Sequence, residues 1–233
     1  MQSDHRRRYL QAMGIDIWIR RSAPPSAAPV PTLLSDDAPL PLQPDRGQMG
    51  WDELRQAVAA CVRCELHKTR TQTVFGVGDL QPTWLIIGEA PGADEDRQGE
   101  PFVGRAGQLL NAMLRALGLK REEVFIANIL KCRPPNNRDP RPEEVACCAP
   151  FLKCQIQWLK PKIILAVGRI AGQNLLKCTT PIGQMRGRLY HYEDTDIPVV
   201  VTYHPAYLLR SPREKRKAWQ DLLFAKKVLS SAS

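Results

Sequence analysis

Long apolar runs are missing from the 233-residue sequence. No segment approaches the roughly 18–20 apolar residues that a membrane-spanning helix needs. The first residues, MQSDHRRRYLQAMGIDIW, include basic side chains but neither a compact apolar stretch nor a small-residue cleavage site, so they do not resemble a signal peptide. These absences predict a soluble protein without a membrane partner, and we expect it in the cytoplasm.

Internal repeats and the phosphate-binding motif GxxxxGK[ST] are also absent, which removes the main support for a Walker-type nucleotide site. What is present is a positive charge: 33 Lys and Arg residues against 24 Asp and Glu residues give a formal net charge of +9. Such a charge favours a polyanion or an acidic membrane surface as partner, and a solvated basic surface explains it equally well.

The composition divides the chain near residue 50. Residues 23–50 contain seven prolines among Ala, Ser and Asp, which predicts a disordered, extended linker. Residues 6–20 before it are predicted to be either a weakly ordered tail or a short helical arm whose apolar side docks another protein. We therefore expect a flexible N-terminal extension over 1–50, followed by one folded domain over 51–229.

Apolar segments alternate with helical patterns after Trp51. Buried strands are predicted at 84–88, 124–130, 162–167 and 198–203, with helices near 52–62, 105–117, 142–159 and 169–177. Strands separated by helices imply an α/β fold with a mostly parallel sheet covered on both faces. Because ligands bind beyond the carboxyl ends of such strands, the polar segments that follow the first, second and fourth strands are expected to form one site.

Seven cysteines, an odd number, argue for reduced thiols or metal ligation rather than a disulfide framework. Cys61 and Cys64 form a CxxC pair, and Cys132 and Cys148 supply a second pair. By spacing alone, Cys147 could be the fourth ligand in place of Cys148. Four thiolates suit structural zinc or a [4Fe–4S] cluster, and spacing does not choose between them. A thiol redox or zinc scaffold protein is the corresponding alternative, but it leaves the polar segments unexplained.

Three motifs carry a family resemblance: GEAPGADEDRQGEPFVGRAGQLL (88–110), NILKCRPPNNRDPRPEEVACCAPFL (128–152) and HPAYLLR (204–210). Together they resemble the family 4 uracil-DNA glycosylases, the iron–sulfur branch of the uracil-DNA glycosylase superfamily. The resemblance implies a three-layer α/β/α sandwich around a four-stranded parallel sheet. It also implies a [4Fe–4S] cluster whose ligands match Cys61, Cys64, Cys132 and Cys148, the last because it precedes Ala149-Pro150-Phe151-Leu152.

The same resemblance implies hydrolysis of the N-glycosidic bond of deoxyuridine in single- and double-stranded DNA, by a monomer. An extruded base needs a fitted pocket, and the leaving uracil anion and the cationic sugar both need stabilising. The matching residues are Phe102 for stacking, Asn128 for the uracil edge, Ala90 for backbone contacts, His204 for the leaving base, Glu89 for water, Glu95 in support, Leu208 as the DNA wedge and Arg210 for phosphates.

Two relatives of this activity provide alternatives. A glycosylase of altered base scope is disfavoured because Glu89, Asn128 and His204 together match the uracil pattern. A protein that traps uracil-DNA would carry a histidine in the loop after the second strand, and KCRPPNNRDPRP contains none. The motifs also offer no lysine nucleophile, so we expect no lyase step.

Overall fold

A computed structural model describes residues 49–231 of the chain. The predicted domain over 51–229 lies within this range. The predicted arm, and the Pro-rich linker apart from Met49 and Gly50, lie outside the described residues. None of the helices in the described range is long and apolar enough to cross a membrane.

Six strands of the described chain form one sheet in the order β1-β3-β2-β4-β6-β5. Their bounds are β1 Val77–Gly78, β2 Trp84–Gly88, β3 Phe125–Asn128, β4 Ile163–Val167, β5 Leu189–His191 and β6 Pro198–Thr202. The four central strands are parallel, which confirms the predicted sheet. Two short antiparallel edge strands, β1 and β5, extend it and were not predicted.

Helices cover both faces of the sheet and complete the three-layer sandwich. Their bounds are α1 Trp51–Ala59, α2 Ala93–Gln98, α3 Arg105–Leu117, α4 Pro142–Leu159, α5 Arg169–Leu175, α6 Ile182–Met185, α7 Pro205–Arg210 and α8 Lys215–Ser231. Short 3-10 turns lie at Glu65–Lys68, Arg121–Glu123, Pro135–Asn137 and Pro212–Glu214. The central strands are buried along their whole length, as expected for a parallel sheet with helices on both sides.

Alternate residues of each strand belong to two separate apolar clusters. Leu85 and Ile87 pack in one cluster with Ile156 of α4, while Ile86 packs in the other with Leu114 of α3. The strand period of two places neighbouring side chains on opposite faces and so separates these clusters. A third, smaller core beneath α1 includes Cys132 and Cys148.

The sheet positions the polar loops by its register. Gly88, the last residue of β2, pairs with Asn128, the last residue of β3. Backbone hydrogen bonds continue beyond both strands, from Ile129 N to Gly88 O and from Leu130 N to Glu89 O, each at 3.0 Å. The first and second predicted site segments therefore leave the sheet side by side.

Candidate active site at the carboxyl edge of the sheet

A cleft of about 450 Å³ opens at the carboxyl edge of the sheet. Side chains from all three polar segments line it, as their positions after the strands predict. The predicted site residues among them are Glu89, Ala90, Glu95, Phe102, Asn128, His204 and Arg210. The structure thus brings together residues that lie more than one hundred positions apart in the sequence.

Asn128 and Phe102 meet over Gly88 in the cleft. Asn128 is 2% exposed, and its Oδ1 is buried without a hydrogen-bond partner within the described chain. A Cβ on Gly88 would lie 2.4 Å from this Oδ1 and 2.6 Å from Cζ of Phe102, so a larger residue would displace both side chains. An unpaired buried acceptor costs free energy, so this oxygen is available to a hydrogen-bond donor that enters the cleft.

The backbone that carries Phe102 is strained. Its φ is +54°, a region that residues other than glycine rarely occupy. The first turn of α3 approaches so closely that a Cβ on Gly107 would lie 1.7 Å from the Phe102 carbonyl oxygen. Arg121 stabilises the same segment by donating hydrogen bonds to the carbonyl oxygens of Pro101 and Phe102. The ring is therefore held in place by several independent contacts.

Glu95 holds the two ends of the first polar loop together. Its Oε2 accepts a hydrogen bond from Gly92 N at 3.1 Å, and its Oε1 accepts from Val103 N at 3.0 Å and Gly104 N at 3.2 Å. A carboxylate that accepts three backbone N–H groups is well suited to fixing a loop. The geometry gives Glu95 the role of a positioning residue, consistent with its expected support of Glu89.

His204 has a defined protonation state. It caps the N-terminus of α7, and its Nδ1 accepts a hydrogen bond from Ala206 N at 3.1 Å. Burial, reinforced by the charge of Arg210, lowers the pKa of His204 to about 4. The imidazole is therefore neutral near pH 7, and because Nδ1 accepts a bond, its proton is on Nε2. Its ring centroid lies 5.5 Å from that of Phe102.

Glu89 is a carboxyl group whose pKa lies near neutrality. Burial raises its pKa to about 7, and the nearby carboxylate of Asp139 acts in the same direction, while Arg169 opposes the shift. Arg169 also donates a hydrogen bond of 2.6 Å to Oδ2 of Asp139. A carboxyl with this pKa can exist in either protonation state near neutrality, as expected for a group in acid–base or water-positioning chemistry.

The predicted wedge residue is buried in the structure. The Leu208 side chain is 1% exposed, so it would have to leave the protein interior to reach DNA. Its helix α7 packs against α3, and Leu208 lies on the buried side. The next residue, Leu209, is 36% exposed, and Arg210 is exposed at the cleft. Leu209 and Tyr207, which is 37% exposed, are therefore the large apolar side chains of this helix that are accessible at the surface.

The four predicted ligand cysteines line a second, small cavity beneath α1. Two of their sulfurs accept hydrogen bonds: Cys132 from the Arg70 guanidinium at 3.1 Å and Cys148 from Lys131 N at 3.2 Å. Cys147 also borders the cavity, but its thiol donates to Arg63 O. Within residues 49–231, no three His, Cys, Asp or Glu side chains are grouped as ligands of one metal ion.

The donor set of this cavity fits an iron–sulfur cluster. Four thiols from three segments of the chain surround it, and N–H groups point at two of the sulfurs, a common way to stabilise cluster thiolates. Burial raises the pKa of the Cys148 thiol to about 12, so its deprotonation requires compensating positive charge such as that of iron ions. Cys61, Cys64, Cys132 and Cys148 are therefore suitable ligands.

Sequence reasoning did not identify several residues that shape these sites. Arg121, Asp139 and Arg169 act through contacts between segments distant in the sequence, and Lys131 resembles a surface cation until its burial is known. Asp139 and Lys131 lie inside a quoted motif, which is the one signal that could have drawn attention to them.

Comparison with known proteins agrees with this geometry. Residues 75–223 match the Uracil DNA glycosylase superfamily. A type-4 uracil-DNA glycosylase of Archaeoglobus fulgidus is 44% identical over 176 residues, which cover 73% of this chain and 88% of the relative. Type-4 uracil-DNA glycosylases of Pyrobaculum aerophilum and Thermotoga maritima are each 42% identical, covering 75% of this chain and 92% of each relative. The chain therefore belongs to the uracil-DNA glycosylase superfamily and, within it, to the type-4 uracil-DNA glycosylases.

The two cleft glutamates should have opposite effects on stability. Because the pKa of Glu89 is raised on folding, its ionisation costs stability above about pH 7 and costs none below its unfolded value. Glu89→Gln should therefore increase the free energy of unfolding at pH 8 by about 1–3 kcal/mol and change it little at pH 4.5. Urea denaturation at both pH values measures the difference.

Glu95→Gln is the matched control, since it makes the same chemical change in the same loop. It removes a charged acceptor from three backbone N–H groups, so it should lower the free energy of unfolding at pH 8 by about 1–3 kcal/mol. Equal effects of the two substitutions at pH 8 would contradict the separate roles given to the two carboxylates.

Proposed function

We propose that this protein is a monofunctional DNA glycosylase that removes uracil from single- and double-stranded DNA and leaves an abasic site for base excision repair. The observation that carries the proposal is the unpaired, buried Oδ1 of Asn128 beside the ring of Phe102 and the imidazole of His204. These groups suit a flat, polar ring that carries an N–H donor and must leave as an anion.

Asn128 and Phe102 select the base. The amide of Asn128 accepts a hydrogen bond from N3–H of uracil and donates one to O4, while cytosine presents the reversed donor and acceptor pattern. The wrong base would leave the buried Oδ1 without a partner, a penalty that supports strong discrimination. Phe102 stacks on the extruded ring, and the backbone around Ala90 borders it in the cleft.

His204 stabilises the leaving base. Its Nδ1 is engaged by Ala206 N, so Nε2–H is the donor that faces the negative charge developing on uracil O2. A neutral imidazole donates this hydrogen bond without transferring its proton.

Glu89 acts on the sugar side of the bond. As a carboxylate it positions the attacking water and balances the positive charge of the oxocarbenium-like sugar. Within the described chain no lysine lines the cleft, which supports a reaction that ends at base release rather than strand cleavage. Glu95 keeps the loop between these groups in place.

A [4Fe–4S] cluster held by Cys61, Cys64, Cys132 and Cys148 is the proposed cofactor, in line with the type-4 family membership. When bound, it would cross-link the loop after α1, the segment after β3 and α4 by four metal–thiolate bonds. We assign it this structural function.

DNA would lie across the cleft with Arg210 near a phosphate. The formal net charge of +9 supports sequence-independent binding of the phosphate backbone, in which cations orient the duplex without recognising bases. We expect a monomer to suffice, because one chain supplies every residue named in the cleft, and we propose the cytoplasm as its compartment.

The first experiment is an excision assay on an oligonucleotide with a single uracil, followed by alkali. We expect alkali-dependent cleavage at uracil and none at thymine, and the rate should fall as pH is lowered below about 7 because Glu89 becomes protonated. His204→Ala should reduce kcat about 100- to 1000-fold, the usual loss for one donor to a developing anion.

His191→Ala is the control, since His191 lies on the edge strand β5 away from the cleft and should leave kcat unchanged. Tight binding of the uracil strand without base release would refute the glycosylase and favour a trapping protein. Cleavage without alkali would refute monofunctional action.

The exposed and buried leucines of α7 give a paired test of the DNA wedge. Leu209→Ala should lower excision from duplex DNA about tenfold more than excision from single strands, because only the duplex must be opened and its lost stacking replaced. Leu208→Ala should instead reduce the free energy of unfolding by about 2–5 kcal/mol and keep the duplex-to-single-strand ratio. A selective duplex defect in Leu208→Ala alone would show that the helix turns over on binding.

The cluster ligands can be tested without measuring activity. Anaerobically purified Cys148→Ala should lose the visible absorbance and the bound iron of the wild-type protein and unfold more readily, whereas Cys178→Ala should do neither. Cys147→Ala is the closer control, because it neighbours Cys148 on α4 and donates elsewhere. Zinc in place of iron and sulfide would rule out the cluster, and equal behaviour of all three variants would rule out the ligand assignment.

A further inference from the structure

Lys131 is a buried lysine that none of the proposed chemistry uses. It is 1% exposed and lines the cysteine cavity, and its side chain is bonded to Asn128, which lines the active-site cleft. Charged side chains are rarely enclosed in this way, because removing an ammonium group from water is expensive unless other groups bind it.

The ammonium group of Lys131 has two strong partners. Nζ donates a hydrogen bond of 2.9 Å to the backbone carbonyl of Asn128 and one of 2.6 Å to Oε1 of Gln155. Nε2 of Gln155 in turn donates to Phe75 O at 2.9 Å. These bonds form a buried, directional network, and such networks hold their members in a single arrangement.

The backbone of Lys131 is connected to the cysteine cavity. Its N–H donates to Sγ of Cys148 at 3.2 Å, and the next residue is Cys132. A cluster held by four thiolates carries a net negative charge, which favours an ammonium group in the adjacent interior. One residue is therefore bonded to a proposed cluster ligand through its backbone and to Asn128 through its side chain.

Within residues 49–231, no hydrogen bond at Oδ1 fixes the Asn128 amide. The bond from Lys131 to the carbonyl of the same residue fixes the peptide group next to the Cα from which this side chain projects. We propose that Lys131 is a positioning residue that holds Asn128 in the orientation that recognises uracil and anchors it to the cysteine site. This inference rests on the proposed function.

A double-mutant cycle tests whether Lys131 acts through Asn128. We expect Lys131→Met to keep the iron content and visible absorbance of the wild type, to weaken binding of free uracil, and to lower kcat/KM for excision about 10- to 100-fold. In an Asn128→Ala background the same substitution should change kcat/KM less than about twofold, since the amide it orients is gone.

Lys226→Met is the matched control: Lys226 also donates to a backbone carbonyl, that of Leu117, but away from the cleft. It should leave uracil binding and excision unchanged. Lys131→Leu, which also removes the donor, replaces the methionine variant if that one does not fold, and the same criteria apply.

Three outcomes would overturn the proposal. The first is an equal loss of kcat/KM with Asn128 and with Asn128→Ala, and the second is a loss of iron in the Lys131 variant. The third is an unchanged kcat/KM in the Lys131 variant that retains Asn128. Failure of the proposed function is distinguishable, because a wild-type protein that binds free uracil but releases none from DNA would refute the glycosylase. The effect of Lys131 on uracil binding would still decide its role in that case.

Discussion

The parallel pairing of β2 with β3 is the interaction on which the active site depends. It places Gly88 beside Asn128, and the absence of a side chain at Gly88 lets Asn128 and Phe102 meet over the strand end. The backbone bonds continue past this point, so Glu89 leaves the sheet next to the segment that leads to Lys131 and Cys132. A shift of one residue in this register would separate Asn128, the proposed base-recognition residue, from Glu89, the proposed water-positioning residue.

The cleft concentrates unfavourable features that the rest of the fold must offset. Asn128 has an unpaired buried oxygen, Phe102 has a left-handed backbone, and Glu89 is partly withdrawn from water. Stabilisation comes from the continuous apolar clusters on both faces of the sheet and from buried ion pairs such as Arg186 with Asp221 at 2.7 Å. Enzymes commonly place energetically unfavourable features in the functional site and offset them with stabilising packing elsewhere in the fold.

Much of the fold and part of the site could be predicted from the sequence, for identifiable reasons. Each central strand is a short apolar run between polar loops, and the motifs lie where those runs end. The edge strands β1 and β5 escaped prediction because they are two and three residues long and not buried. The burial of Leu208 was not predicted because HPAYLLR does not show which side of α7 packs against α3. The burial of Lys131 depends on Gln155, which lies 24 residues away.

The arrangement of α7 has a mechanical consequence. Leu208 anchors the helix in the interior, while Leu209 and Arg210 project from the outer side of the same turn. If stacked bases resist insertion of Leu209, the force on its side chain is transmitted through one turn of α7 to the interface that α7 forms with α3. A short helix therefore suffices for the proposed wedge, because the stiffness comes from the interior behind the helix and not from the helix itself.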